Sequence, residues 1–174
     1  MDKIFLVAFI APVGSGKTYV ARIISKKLGA VHVRTDDIRV ELRKKGKAYS
    51  RAPRIARELA EKALKGGKSV VLDFDAYRPQ KQKELKCIAK RFAARAVFIR
   101  IKTPEKLILK RLNEHRYSKR DLFQNAKEAI RVYYIRKSLH LRKNKLQNKP
   151  DFVIDNSRPL RSQIEKIIKK LGKS

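Results

Sequence analysis

The sequence is poor in cysteine, methionine, tryptophan and acidic residues. Its 174 residues include no tryptophan, one cysteine, one methionine and only 16 Asp and Glu against 46 Lys and Arg. A single cysteine excludes an internal disulfide, and its place in ELKCIAKRF predicts that Cys87 lies on the buried face of a helix. The fold must therefore be stabilised without disulfide crosslinks.

The sequence also lacks an apolar run long enough to span a bilayer. The segment IFLVAFIAPV follows Lys3 as in a signal peptide, but it is too short to cross a membrane and leads directly into a glycine-bearing loop. A buried parallel strand explains it better. Hydrophobic residues make up 43% of the chain, which suits one globular domain over residues 1–174, and we expect a soluble, cytoplasmic protein.

The loop after this run reads APVGSGKT, residues 11–18. Gly14 and Gly16 allow successive backbone N–H groups to point into one concavity, and the following helix adds its positive N-terminal end. Lys17 would then reach the terminal phosphates of a nucleotide, and the Thr18 hydroxyl would bind magnesium. Such P-loops usually open with glycine, whereas Ala11 stands here. We expect nucleotide contacts from Pro12, Val13, Gly14, Ser15, Gly16, Lys17, Thr18 and Tyr19.

The net charge of +30 is far above the value typical of a soluble domain of this size. No acidic residue occurs between Glu128 and Asp151. The same stretch has rings that would stack on bases, at Tyr133, Tyr134 and His140, so the pattern favours contact with RNA or DNA. The alternatives are a solvated helix whose tyrosines face the core, or a lysine bias of the whole proteome. The cations of this stretch are Arg131, Arg136, Lys137, Arg142, Lys143, Lys145 and Lys149.

Strand-like segments alternate with helical segments along the chain. The five strand segments are KIFLVAFIA, VHVR, SVVLDF, RAVFIRIK and DFVIDN. This order predicts an α/β three-layer sandwich in which a five-stranded parallel sheet has helices on both faces. Together with the loop at residues 11–18, it is typical of the P-loop NTPase fold. A basic helical region with a lid, about residues 111–149, is inserted before the last strand. The helix after the second strand is expected to be capped by Thr35 or Asp36.

Acidic residues follow two of these strands, at the sheet edge where the chemistry of such folds gathers. After the second strand, Asp36 would accept the proton of an attacking hydroxyl, and Arg39, on the same helical face, would hold the acceptor. The third strand ends in Asp73, a candidate magnesium ligand, with Asp75 close behind. Each aspartate could instead be only a helix cap or a turn residue.

The segment KRLNEHRYSKR concentrates cations near the end of a helix. Such a segment would close over the nucleotide and neutralise charge that develops on a transferred phosphoryl group. A solvated basic loop is the alternative reading. Its cations include Arg111, Arg116, Lys119 and Arg120.

Taken together, GSGKT, the DDIR segment, GKSVVLD and an arginine-bearing lid resemble the P-loop kinase superfamily over most of the chain. The motif pattern is most similar to that of the 5′-hydroxyl polynucleotide kinases. The resemblance implies that Asp36 is the general base, that Arg39 positions the acceptor, and that Lys17 and Thr18 bind phosphate and magnesium.

The resemblance further implies that Arg116 is the lid arginine, assisted by Arg111, and that Asn156 and Arg158 flank the adenine. The function it favours is ATP- and Mg²⁺-dependent transfer of the γ-phosphoryl group to a nucleic acid 5′-hydroxyl. One alternative keeps the fold and changes the acceptor to a nucleotide or another small molecule. The other is an RNA- or ribosome-associated switch that resembles the adenylate-kinase-like ATPases.

Overall fold

The structure is a computed structural model that describes residues 3–143 and 149–173. Its strands are β1 (Phe5–Ile10), β2 (Val31–Arg34), β3 (Val70–Asp75), β4 (Arg95–Lys102) and β5 (Phe152–Asp155). They form one sheet in the order β2-β3-β1-β4-β5, and every neighbouring pair is parallel. The predicted five-stranded parallel sheet is thereby confirmed.

Helices connect the strands and cover both faces of the sheet. In the part of the chain that the structure describes, they are α1 (Lys17–Leu28), α2 (Thr35–Lys44), α3 (Ala52–Lys65), α4 (Pro79–Arg91), α5 (Glu105–Glu114), α6 (Ala126–Lys143) and α7 (Leu160–Lys173). A short 3₁₀ turn, Tyr49–Arg51, precedes α3. None of these helices is long and apolar enough to cross a membrane.

The central strand β1 is buried along its whole length, as expected for a parallel strand covered on both faces. Successive side chains of a strand point to opposite faces, so β1 contributes to two separate cores. Val7 and Phe9 pack with α1 and α7 on one face. Leu6 and Ala8 pack with α3 and α4 on the other.

A third, smaller core lies between α5 and α6. It contains Ile108 and Leu112 of α5 together with Ala129 and Tyr133 of α6, and Val13 of the loop after β1 packs against it. This core fixes the position of α5 and α6 relative to the loop that the sequence marks as a phosphate binder.

Two local predictions are wrong. Cys87 is exposed, because the buried face of α4 is formed by Leu85, Ile88 and Ala89 instead. The predicted cap of α2 is also wrong, since the helix already begins at Thr35, with Arg34 at the cap position and no side-chain cap bond.

The described part of the predicted basic region before the last strand consists of the end of α5, a connecting segment and α6. The helix α5 ends at Glu114 and α6 begins at Ala126, so the segment 115–125 between them, called the lid below, is not helical. Residues 144–148, which include Lys145, lie outside the described part of the chain.

Candidate active site

The loop between β1 and α1 has the backbone conformation that an anion-binding loop requires. Gly14 and Gly16 have φ values of +77° and +85°, in the left-handed region that favours glycine. No side chain caps the N-terminus of α1, so its first N–H groups can donate to a ligand. The Ser15 hydroxyl closes the loop by donating to the carbonyl of Pro12 at 2.7 Å. The loop is therefore folded as a backbone cradle for phosphate.

Two side chains from distant parts of the sequence brace this loop at the carbonyl of Ser15. Thr103 Oγ1 donates to it at 2.9 Å and Asn156 Nδ2 at 2.5 Å. A Cβ on Gly16 would lie 2.4 Å from that Nδ2, so there is no room for a side chain. Asn156, which the resemblance places beside the adenine, is thus a structural support of the phosphate loop and also lines the cleft above it.

Lys17 and Asp73 form an ion pair beside the loop, in which Asp73 is buried and Lys17 is half-buried. Burial, the largest influence, raises the pKa of Asp73, but the neighbouring His32 imidazole and the Lys17 ammonium together lower it well below its usual range. The nearby Thr18 hydroxyl lowers the pKa of Asp73 further. Asp73 is therefore ionised at neutral pH, with a cation and a hydroxyl directly beside it.

Thr18 and Asp73 together offer oxygen ligands to a divalent cation. No group of three or more His, Cys, Asp or Glu side chains that could hold a metal occurs within residues 3–143 and 149–173. Mg²⁺ commonly binds through one or two protein oxygens together with waters and substrate phosphates. The residues present therefore fit a magnesium ion that binds together with a nucleotide, and they do not form a complete protein cage.

The arginines predicted to reach the nucleotide do not all face the cleft. Arg111 does: its Nη1 is buried without a hydrogen-bond partner among the described residues and would lie 3.3 Å from a Cβ at position 16. Arg116 is exposed and does not line the cleft, whereas Arg120 does. Arg158 is 78% exposed and pairs with Asp155 at 3.3 Å. The unpartnered guanidinium of Arg111 is therefore the cation best placed to bind a phosphate oxygen.

The start of α2 lines the same cleft, which has a volume of about 1050 Å³. Asp36 Oδ1 accepts a hydrogen bond from Arg39 Nη1 at 2.7 Å, and Asp37 pairs instead with Arg34 at 3.0 Å. The structure thus brings the predicted base and acceptor clamp into the cleft that holds the phosphate loop. Of residues 11–19, all line this cleft except Ser15, which was predicted to contact the nucleotide and is buried within the loop.

Arg43 of α2 ties the lid to the helix that carries Asp36. Its guanidinium donates to the carbonyls of Lys119 and Asp121 at 2.9 Å and of Leu122 at 3.2 Å. Sequence reasoning missed Arg43, because a cation on a helix gives no sign that its partners are backbone carbonyls at least 76 residues away. The position of the lid is therefore coupled to that of α2.

Asp75 joins α6 to the phosphate loop. Its Oδ1 accepts from the Ala11 N–H at 3.2 Å, and its Oδ2 lies 2.7 Å from His140 Nε2. The His140 ring stacks on Tyr77, with the two ring centroids 4.9 Å apart. His140, predicted to stack on bases, is thus occupied by contacts inside the protein.

The other residues of α6 that were predicted to contact a nucleic acid are not all exposed to solvent. Arg131 and Tyr134 are exposed, but Tyr133 is 3% exposed and belongs to the small core under the lid. Lys137 pairs with a glutamate of α5. Arg136 lines the cleft. The side chains of Arg142 and Lys143, like all of Lys145, lie outside the described part of the structure.

A comparison with protein families agrees with the geometry of the loop. The family model described as an AAA domain matches residues 6–139. Among curated proteins, none has a sequence that matches the chain significantly.

Three solved structures with a similar fold are kinases by name. The APS kinase CysC of Mycobacterium tuberculosis, in complex with AMPPNP and APS, is 15% identical, with a TM-score of 0.66 and full coverage, 100% of each chain. A sugar kinase from Janibacter sp. HTCC2649 is 16% identical, with a TM-score of 0.61 over 96% of this chain and 93% of that one. A gluconokinase from Sinorhizobium meliloti 1021 is also 16% identical, with a TM-score of 0.58 over 99% and 93%. At these identities the similarity shows the fold.

Proposed function

Because this chain belongs to the AAA domain family and has the fold of the P-loop kinases, we propose that it transfers the γ-phosphoryl group of ATP to a hydroxyl of a small molecule. The observation that carries the proposal is one cleft with two different walls. A phosphate-binding loop with Lys17 lines one part, and the Asp36–Arg39 pair lines another. A kinase needs this combination, whereas a protein that only binds nucleotides does not need the second wall.

The donor half of the cleft would hold the triphosphate of ATP. Backbone N–H groups of the loop and of the first turn of α1 would donate to the phosphates, and Lys17 would exchange its partner Asp73 for a phosphate oxygen. The buried Nη1 of Arg111 would gain the acceptor it lacks. When bound by Thr18 and Asp73, magnesium would neutralise charge on the terminal phosphates.

The acceptor half would orient the attacking hydroxyl. Its oxygen would form a bond to the γ-phosphorus while the bond from that phosphorus to the bridging oxygen of ADP breaks, and the bridging oxygen would keep the electron pair. Asp36 would take the hydroxyl proton, and Arg39 would hold both Asp36 and the acceptor in place. The lid would keep water out of the cleft during the transfer.

Three observations favour a small acceptor over a nucleic acid strand. The similar structures reported above are named for sugar, gluconate and APS as substrates or ligands. Two of the rings predicted to stack on bases, Tyr133 and His140, are packed inside the protein. Arg43 holds the lid to α2, and lid residues line a cleft of about 1050 Å³, a volume that suits a nucleotide with a small metabolite beside it.

A nucleic acid 5′-hydroxyl remains the second candidate acceptor, because the net charge of +30 has no explanation in the chemistry of a small-molecule kinase. The exposed Arg131 and Tyr134 on α6 would contact the strand in that case. The same charge would equally suit an RNA-stimulated ATPase.

One experiment separates these functions. The protein would be incubated with radiolabelled ATP, magnesium and a panel of sugars, sugar acids, nucleosides and a 5′-hydroxyl oligonucleotide, and the products separated. We expect label on a small acceptor. Label on the oligonucleotide alone would support the second candidate, and phosphate release stimulated by RNA without a labelled acceptor would contradict both kinase functions.

The variant Asp36→Asn identifies the base in the same assay. We expect it to lower kcat by about 10²- to 10⁴-fold, the usual contribution of a positioned general base. Glu41→Gln, on the same helix but outside the cleft, is the matched control and should keep full activity. Unchanged activity of Asp36→Asn would show that another group accepts the proton.

A further inference from the structure

A second cavity, of about 220 Å³, opens next to the cleft. It lies among α2, α3, α4 and α6, on the acceptor side of the site. Arg39, Phe74, Asp75 and Arg136 line both the cavity and the cleft. The cavity and the cleft therefore adjoin, and one molecule can reach from the cavity to the carboxylate of Asp36.

The walls of the cavity are strongly cationic. Two of its cations, Arg57 and Lys81, share one carboxylate, Glu84, at 3.3 and 2.7 Å. The other carboxylate of the wall, Asp75, is occupied by the Ala11 N–H and by His140. The positive charge of the remaining cations is therefore not balanced by the wall itself.

Two arginines of the wall have no carboxylate partner among the described residues. The guanidinium carbons of Arg78 and Arg136 lie 5.5 and 5.7 Å from the centroid of the same ring, Tyr77. Tyr77 is 2% exposed, and its OH accepts a hydrogen bond from Arg78 Nε at 2.9 Å. The face of the ring attracts both cations, but the ring carries no negative charge that could neutralise the two arginines. A bound anion would offset the repulsion between them.

An unpartnered hydroxyl lies in the wall of the same cavity. Thr35, at the first position of α2, is 3% exposed and lines the cavity, and its Oγ1 has no hydrogen-bond partner within the described part of the chain. Buried hydroxyls are nearly always hydrogen-bonded in folded proteins. An oxygen of a bound ligand would supply the missing acceptor, and this observation is independent of the charge.

We propose that the cavity bounded by Thr35, Arg78 and Arg136 binds an oxyanion carried by the acceptor. The acceptor is then a small molecule with both a hydroxyl and a phosphate, sulfate or carboxylate group. The oxyanion anchors it, with Arg78 and Arg136 donating to the charged oxygens and Thr35 donating to one of them, while Arg39, at the border of cavity and cleft, aligns the hydroxyl with Asp36. Neutral sugars and nucleosides lack the anchor and bind weakly. The inference rests on the proposed kinase function and names its substrate class.

Direct binding tests the subsite without any knowledge of the full acceptor. The donor site is first saturated with AMPPNP and magnesium so that the phosphate loop is occupied. Calorimetry measures this first binding step. Inorganic phosphate, sulfate and acetate are then titrated, with chloride at equal ionic strength as the reference. We expect saturable binding of at least one of the three oxyanions and no binding of chloride. The order of affinities for phosphate, sulfate and acetate distinguishes a site for tetrahedral anions from a site for carboxylates.

Variants assign that binding to the cavity. Arg78→Gln and Arg136→Gln should each weaken oxyanion binding about tenfold or more, the scale of a lost charge-assisted hydrogen bond. Thr35→Val keeps the shape of the side chain and should weaken binding severalfold. Arg54→Gln, a pairing partner of Glu58 on the exposed side of α3, makes the same substitution outside the cavity and should bind oxyanions normally.

The outcomes separate this inference from the function on which it rests. Failure of AMPPNP to bind would contradict the proposed function. Normal AMPPNP binding with no saturable oxyanion binding, or with binding that Arg78→Gln and Arg136→Gln leave unchanged, would overturn the subsite alone. In the kinase assay, Arg136→Gln should raise KM for an anionic acceptor more than it lowers kcat, and an equal preference for neutral acceptors would also overturn the subsite.

Discussion

A Cβ on Gly16 would lie closer to a neighbouring atom than a Cβ on any other glycine that the structure describes. A Cβ there would lie 2.4 Å from the side chain of Asn156 and 3.3 Å from that of Arg111, and its φ is +85°. Gly46 has a similar backbone, with φ +60°, but nothing lies within 4 Å of its Cβ position. An alanine at position 46 would therefore be strained only by its backbone conformation, whereas an alanine at position 16 would also clash with its neighbours.

We expect Gly16→Ala to abolish AMPPNP binding, because the new methyl group would displace Asn156 from the carbonyl of Ser15 and so open the phosphate loop. Gly46→Ala should only lower the free energy of unfolding by about 1–2 kcal/mol, the cost of a left-handed residue with a side chain, and should bind AMPPNP normally. Calorimetry with AMPPNP and denaturant unfolding of both variants measure the two effects. Equal nucleotide affinities in the two variants would contradict the role given to Asn156.

The residues near the carboxyl ends of strands could be placed from the sequence, and those farther along the helices could not. Lys17 and Asp36 lie in the first turns of the helices that follow β1 and β2, and Asp73 lies in the second half of β3, so the topology of a parallel sheet brings them to one edge. Arg78 and Arg136 lie on different helices, and their approach to one ring depends on how α4 and α6 pack. No local pattern in the sequence encodes that packing.

At the scale of elements, the lid depends on one side chain from α2. Arg43 donates hydrogen bonds to three backbone carbonyls of the lid. The lid forms no helix or strand that would provide hydrogen bonds for these carbonyls. Losing these bonds should increase opening of the lid without affecting the sheet.

We expect Arg43→Ala to raise KM for the substrates about tenfold and to make the lid more sensitive to trypsin, since Arg116, Lys119 and Arg120 are exposed cleavage sites. The rate of cleavage within residues 115–125 is the measurement, and it needs no acceptor. Lys44→Ala changes the neighbouring cation, which pairs only with Glu41 among the described residues, and should leave cleavage unchanged. Identical cleavage of the two variants would show that Arg43 does not hold the lid.

The boundaries of one strand followed fully from local pattern. The predicted strand RAVFIRIK is β4 at both ends, because its apolar residues Val97, Phe98, Ile99 and Ile101 are buried in the sheet and a cation stands at each end.

The limits of α6 were not predictable in this way. The stretch without acidic residues begins after Glu128, inside the helix that starts at Ala126, so it does not mark the helix start. It also does not indicate that Tyr133 and His140 face the protein while Tyr134 faces solvent.

At the scale of the whole molecule, the charge cannot be balanced by internal ion pairs. The chain has 46 basic and 16 acidic residues, so most cations have no carboxylate available, even if every acidic residue forms a pair. A surface of this kind attracts any polyanion, whatever the chemistry of the cleft.

We expect the protein to bind RNA and duplex DNA without sequence preference at low salt. Fluorescence anisotropy at several NaCl concentrations should give a plot of log Kobs against log salt with a slope of about −4 or steeper, near −0.9 for each phosphate neutralised. Filling the donor site with AMPPNP should leave that binding unchanged, since the surface lies outside the cleft. Absence of binding at low salt would indicate that the charge reflects a proteome-wide bias.

The brace between Asn156 and Ser15 has a consequence for how the protein is made. The two residues are 141 positions apart, so the phosphate loop leaves the ribosome long before its support has been synthesised. A nascent or truncated chain that ends before β5 contains the complete GSGKT motif but lacks the group that holds it in shape. Nucleotide binding therefore becomes available only after synthesis of the last strand, and incomplete chains should not compete for ATP in the cell.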